Sequence, residues 1–255
     1  MVSQANIDLQ LNEYGCGGKD SCYALKERFH SRMVGNYVSV PAKQVAAKHV
    51  SAVIDLAKYD SKSYFSSVKK VHKGNAVRQA KKSDKEGYVC HQFVWSNFIP
   101  DVVEINNSMD VRSGGLMRNT YRRGVEDMGG APVVLRELKN PKCPVHHTYC
   151  WGIFEPKEGY KQGDITTNEK LLAYIKFKRN GNFAVYTSIL GHGDYLCNGI
   201  MYRLHYEIMR WIYQETEGVM AGLEYLVYGA VDSGNDGLRL WKRRALFESM
   251  ELALT

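Results

Sequence analysis

The sequence predicts an α/β protein with a mixed, mainly antiparallel central sheet flanked by helices on both faces. Three observations carry this. Residues 171–177 and 183–189 are β-rich runs joined through Asn180-Gly181, and Asn-Gly between such runs is a strong hairpin signal. Next, Gly191-His192-Gly193-Asp194-Tyr195-Leu196-Cys197-Asn198-Gly199 opens a helical pattern that runs to about Tyr213. Finally, an apolar run over residues 223–228 and the turn Asp232-Ser233-Gly234-Asn235 lead into a helix ending near Phe247.

The remaining elements follow in order. Residues 21–33 read as a helix or turn, and Pro41 begins a segment predicted helical over 42–59. Residues 61–83 place Tyr64, Phe65, Val68 and Val71 at helical spacing and break at Gly74-Asn75, which predicts two short basic helices. Residues 88–98 are aromatic-rich and strand-like or loop-like. A turn at Ser113-Gly114-Gly115 precedes a helix predicted over 116–128, and residues 149–154 form a strand. A polar Gly/Lys/Asp loop follows, up to Lys170. The chain divides into a basic, mixed region over 1–140 and a sheet-forming core over 141–255.

Composition bounds the class. The chain has 255 residues, 44% hydrophobic and 24% charged, which suits a soluble protein of one large domain or two small ones. Its longest apolar runs are strand-sized, which predicts no membrane span. The first residues lack a basic stretch followed by an apolar run, so no secretory signal is expected. The six cysteines are then expected as free thiols in the cytoplasm. Net charge is +7, and all of the excess lies in residues 1–140, with 21 Lys and Arg against 14 Asp and Glu. Between residues 58 and 85, Lys58, Lys62, Lys69, Lys70, Lys73, Arg78, Lys81, Lys82 and Lys85 face only Asp60 and Asp84. Such a patch draws a polyanion, DNA or RNA, by counterion release; it serves equally well as a solvated helix surface. No Walker loop or dinucleotide fingerprint occurs, and Ser188 lacks the Gly-x-Ser-x-Gly context of a hydrolase.

The element order of the core resembles the acyl-CoA-binding half of the GCN5-related N-acyltransferase (GNAT) fold. That resemblance implies transfer of an acyl group from acetyl-CoA or another acyl-CoA to an amine. It also implies that the pyrophosphate sits on a turn at a helix start, where free N–H groups and the dipole favour anions. Ile189, Gly191, Gly193, Asn198, Gly199 and Asn235 become the expected cofactor-binding residues. The family's Gln/Arg-x-x-Gly-x-Gly/Ala signature is absent, and Asp194 places a negative charge in the turn. In the last helix the family shows Asn, then Ala three later, Tyr seven later and Gly-Phe eleven and twelve later. Here those positions hold Asn235, Leu238, Lys242, Leu246 and Phe247, so Lys242 occupies the slot of the proton-donating tyrosine. The altered motifs resemble Fem-type peptidyltransferases and arginyl/leucyl-tRNA-protein transferases, which share the fold and use aminoacyl-tRNA. They also resemble phage-type acyltransferases that decorate modified DNA bases.

Residues 104–117 interleave charged and apolar side chains and are expected to line the acceptor site. Glu104 is the candidate general base, Arg112 the candidate holder of an anionic group, and Ser108 and Tyr121 further substrate contacts. The same stretch also reads as a turn capped by Asn107 and Ser108. His192, beside the Gly-rich turn, is a second candidate for proton transfer. Cys143, His146, His147 and Cys150 have metal-like chemistry but no obvious second pair, so no metal is expected. A competing reading is a nucleic-acid-binding protein without catalysis.

Overall fold

A computed structural model describes residues 3–10 and 50–254. Cys16, Cys22, the segment 21–33 and the first part of the helix predicted over 42–59 lie outside the described residues. The strands are β1 (Ser3–Ile7), β2 (Ser51–Asp55), β3 (Val89–Gln92), β4 (Val111–Arg112), β5 (Gly115–Leu116) and β6 (His146–Pro156). They continue with β7 (Lys161–Gln162), β8 (Ile165–Thr166), β9 (Glu169–Asn180), β10 (Phe183–Gly191), β11 (Tyr225–Ala230) and β12 (Glu248–Leu254). The helices are α1 (Ser61–Lys70), α2 (Asn75–Lys85), α3 (Ile99–Asn107), α4 (Ile200–Gln214) and α5 (Asp236–Arg244).

Eight strands form one sheet in the order β1-β12-β2-β11-β10-β9-β6-β3, while β4-β5 and β7-β8 are small hairpins. Among the described residues only β1/β12 and β10/β11 pair in parallel, so the sheet is mixed and mainly antiparallel, as the sequence predicts. Strands from both sides of residue 140 share this sheet: β2 lies between β12 and β11, and β3 pairs with β6. The β9–β10 hairpin forms across Gly181-Asn182, where Asn182 reaches back to Asp8 and Asn6.

Two local expectations fail. The helix predicted over 42–59 is replaced at its described end by strand β2 and a single 3₁₀ turn at Leu56–Lys58. Ser51, Ala52, Val53 and Ile54 are all fully buried, and a short run buried on both faces has no period to separate strand from helix. The helix predicted over 116–128 is also absent: β5 ends at Leu116 and turns follow, with one 3₁₀ turn at Glu126–Met128. Most of that stretch is exposed, so no apolar stripe is buried to hold a helix together. The two basic helices do form. Asp60 and Ser63 make a reciprocal capping box at the start of α1, and left-handed backbone at His72–Gly74 separates it from α2.

Helices α1, α2, α4 and α5 cover one sheet face, where Tyr64, Val68, Ala80, Leu204, Ile208 and Trp241 pack on Ile54, Ile175, Phe177 and Ala184. Helix α3 covers part of the other face, with Val102 and Ile105 against Phe154, Leu171, Tyr174 and Leu190. The feature that positions a site is an interruption in the sheet. β10 and β11 pair only at Phe183–Val185 with Tyr225–Val227, and the β10/β9 register shifts between Tyr186 and Ser188. The bulge bends β10, the parallel strands part, and a notch opens between them.

Candidate functional site

The notch holds a cleft of about 600 Å³ lined by Tyr186–Leu190 of β10, Tyr228–Ala230 at the end of β11, Ser233, Gly234 and Leu238, and the β4–β5 hairpin with Met117, Arg118 and Tyr121. The hairpin straps the mouth of the cleft. Ser113 and Gly114 both take positive φ, +51° and +85°, the pattern of a tight two-residue turn. A Cβ at Gly114 would lie 3.0 Å from the Cβ of Asn235, so the strap's tip rests on the residue that caps α5. Along β10, the His192 N–H bonds to Leu172 of β9, so by alternation the amides of Ile189 and Gly191 face away from β9. Arg112 indeed takes the Gly191 carbonyl at 2.8 Å, and the Ile189 N–H points toward the cleft.

At the carboxyl end of β10 two of the predicted catalytic residues come together. Glu104 Oε1 lies 3.3 Å from His192 Nε2 and 2.7 Å from Lys170 Nζ. α3 projects Glu104 over the start of β9 because its apolar side is held in the core beneath, and Asp101, one turn earlier, accepts from the Leu171 N–H at 2.7 Å. His192 Nδ1 accepts from the Asp194 N–H at 3.3 Å, which puts the ring proton on Nε2, aimed at Glu104. Burial presses the Lys170 ammonium toward neutrality, but the hydrogen bond and charge of Glu104 outweigh it and raise its pKa. His192 is 8% exposed, whereas the Glu104 side chain is 44% exposed. Glu104 is thus a reachable carboxylate held by two donors.

The Gly-rich turn is closed. Its amides are committed internally: His192 N–H to Leu172, Gly193 N–H to Ser108 Oγ at 2.9 Å, Asp194 N–H to His192, Tyr195 N–H to the His192 carbonyl, and Gly199 N–H to Leu196. Gly199, at φ +72°, sits so close to α2 that a Cβ there would be 1.9 Å from the Gln79 carbonyl oxygen. Asn198 is turned to the Tyr88 hydroxyl. The amides of Gly193 and Gly199 are thus taken, and Gly199 lies against Gln79, so a pyrophosphate at these two glycines would have to displace the contacts already made there. Ser108 and Arg112 brace it. Arg112 donates to the carbonyls of Gly191 and Ile105 and to Ser108 Oγ, so the guanidinium expected to hold an acceptor's anionic group ties backbone together.

Lys242 is 2% exposed. Its ammonium donates to the Ala230 carbonyl at 2.6 Å and Ser233 Oγ at 2.8 Å, behind one wall of the cleft, and burial lowers its pKa to about 8. Asn235 caps α5 through the Leu238 N–H. Sequence reasoning missed a buried chain beside the cleft. Tyr64 spends its hydroxyl proton on the Ala245 carbonyl, so His205 Nε2 donates to Tyr64 and Nδ1 accepts from Tyr186, each at 2.9 Å. Burial lowers the His205 pKa to about 3. Nothing in the spacing of residues 64, 186 and 205 marks this contact.

A larger cavity, about 1180 Å³, lies along the edge of β6 and is lined by Trp95, Tyr149, Trp151 and Trp211; it touches none of the predicted site residues. Cys143 Sγ is 3.5 Å from His146 Nδ1, and among the described residues no group of three or more His, Cys, Asp or Glu side chains gathers to hold a metal. Among those residues, too, no helix is long and apolar enough to cross a membrane.

No family model matches the sequence, and no curated protein does. Solved structures are similar in fold. FemX superposes with a TM-score of 0.52 at 12% identity, over 92% of this chain and 67% of that one. The tandem GNAT protein from the clavulanic acid biosynthesis pathway (without AcCoA) gives 0.42 at 13% identity, over 88% and 55%. L-PGS from Bacillus licheniformis gives 0.43 at 12%, over 79% and 57%, so the chain spans little more than half the length of the latter two. The likeness to FemX shows that this chain shares its fold.

Proposed function

We propose that this protein transfers an acyl or aminoacyl group from a carrier to an amine. The observation that carries the reading is the free, cleft-facing edge of β10, which ends at the Glu104–His192 pair. In this reading the carbonyl of the carried group lies along that edge and the Ile189 N–H accepts the charge that develops on its oxygen. Glu104, oriented by His192 and Lys170, takes the proton of the attacking amine and returns it to the departing carrier. The closed turn argues against coenzyme A as that carrier. The exposed lysines of α1 and α2 support a nucleic-acid-borne donor, because α2 packs on the very start of α4 where the coenzyme's phosphates were expected.

The test offers the protein labelled aminoacyl-tRNA or acetyl-CoA with a panel of primary amines and follows label appearing in amide. Transfer from aminoacyl-tRNA, lowered about 100-fold by Glu104→Gln with unchanged thermal stability, is the expected result. Undiminished transfer in that variant would remove Glu104 from the reaction, and no transfer from either donor would leave a binding protein on this fold.

A further inference from the structure

The lining of the cleft carries positive charge and no acid. Its lining contains Arg112 and Arg118 and not one Asp, Glu or His. Arg112 is half-buried, and its hydrogen bonds go to two carbonyls and a hydroxyl. Arg118 is exposed on the strap with no carboxylate paired to it among the described residues. Lys242, behind the opposite wall, is hydrogen-bonded only to carbonyl and hydroxyl oxygens, with the charge of Asp232 near enough to act on it. Proteins rarely bury cations without an anion nearby, because desolvation is costly and a carbonyl offers only a partial charge. Elsewhere in this chain cations do find carboxylates: Arg203 meets Asp84 at 3.0 Å, Lys170 meets Glu104 at 2.7 Å, and Arg122 meets Asp110. Carbonyl bonding alone does not set the cleft apart, since Arg179, 1% exposed, is also held only by the carbonyls of Gly181, Val219 and Ala221. What distinguishes the cleft is that two arginines and no acid line an open space.

We infer that the missing counter-charge is brought by the ligand: the cleft is an oxyanion-binding site, for a phosphate or carboxylate, with Arg118 as its recognition residue. Arg118 stands on the strap at the mouth, where a planar guanidinium can grip an oxyanion through two parallel hydrogen bonds. Ser188 adds a hydroxyl group, Ser233 is spent on the Ala230 carbonyl and Lys242, and Arg112 and Lys242 supply the field from either wall. This deepens the transfer reading above and rests on it for the role of the cleft. The anion is held by the strap, on the far side of β10's free edge from the closed turn.

The test titrates inorganic pyrophosphate, and separately citrate, into the full chain at low salt by calorimetry. Pyrophosphate bound in preference to citrate identifies a phosphate-bearing ligand; the reverse identifies a carboxylate, and either supports the site. Arg118→Glu should weaken binding about tenfold or more, the scale of one charge-assisted hydrogen bond. Arg123→Glu, an equal charge change at an exposed arginine outside the cleft, should stay within about twofold. Lys242→Met should weaken binding as well, with thermal melting confirming that it folds. Equal losses in the two arginine variants, or no anion bound by the parent protein, overturns the inference. Glu104→Gln separates the two readings: loss of transfer with anion binding intact upholds both. Transfer that depends on Glu104 without anion binding sinks only this inference.

Discussion

Two regions flank the free edge of β10, and they handle polar groups in opposite ways. The turn over residues 192–199 resembles an anion cradle in sequence yet spends its amides on Leu172, Ser108, His192 and Leu196 and packs against Gln79. The cleft between β10 and β11 has no glycine-rich signature, yet it is open and carries cations without carboxylates. A helix start is an anion site only while its donors stay unsatisfied, and a side chain such as Ser108 removes that capacity without altering the fold. The turn that resembles an anion cradle and the cleft lined by arginines therefore lie in different places on one scaffold.

The contrast can be broken most forcefully at Gly199. Replacing it with valine drives a side chain into the Gln79 carbonyl from a left-handed backbone position, and urea unfolding should show a loss of about 3 kcal/mol or more. A folded variant that merely binds anions less well would show instead that the turn is open. Next in size is the buried His205. Its pKa falls to about 3 on folding, so its contribution to stability is complete above the ordinary histidine value and is lost as pH falls toward 3. Unfolding free energies from urea titrations between pH 7 and pH 4 should drop by up to about 1.4 kcal/mol per unit below 6.5, with a shallower slope in His205→Gln. Ser108→Ala leaves the Gly193 N–H without its partner and should cost about 1–2 kcal/mol. If pyrophosphate affinity rises in that variant, the turn was closed by this hydroxyl; a fall would place the anion at the turn. A further effect, confined to alkaline pH, is at Lys242. Because burial lowers its pKa to about 8, the folded chain sheds a proton that the unfolded chain keeps up to about 10.4. Stability should rise across that window in the parent protein and rise less in Lys242→Met, as read by thermal melting against pH.

Much of the fold was legible because its signals are local. The Asn180-Gly181 hairpin, the break at Gly74 and the Gly-rich entry to α4 each follow from a few neighbouring residues. Strand β2 was misread because Val50-Ser51-Ala52-Val53-Ile54 is apolar without a period, and only its neighbours β11 and β12 make it a strand. The segment after Gly115 was misread for want of anything to pack on. Glu104 and His192 were singled out separately from their chemistry; that they touch depends on α3 crossing the end of β10, which no spacing encodes. Lys170 and His205 carried no signal at all, since each matters only through a partner more than 60 residues away or a pair of tyrosines on other elements. The same limit applied to the glycines: their positions matched an expectation, but whether their amides were free was decided by Ser108.

The placement of β2 reaches beyond the site. Both of its partners come from the far end of the described chain, β11 at Tyr225–Ala230 and β12 at Glu248–Leu254. Residues 51–55 therefore leave the ribosome as an apolar strand with neither edge paired. They wait for some 170 more residues, on the order of ten seconds or longer at about 5–20 residues per second. Closing a loop of that length precedes any reward from the pairing, so formation of the middle of the sheet should be the slow step in folding. During synthesis this apolar strand is exposed to association with other chains until its partners emerge.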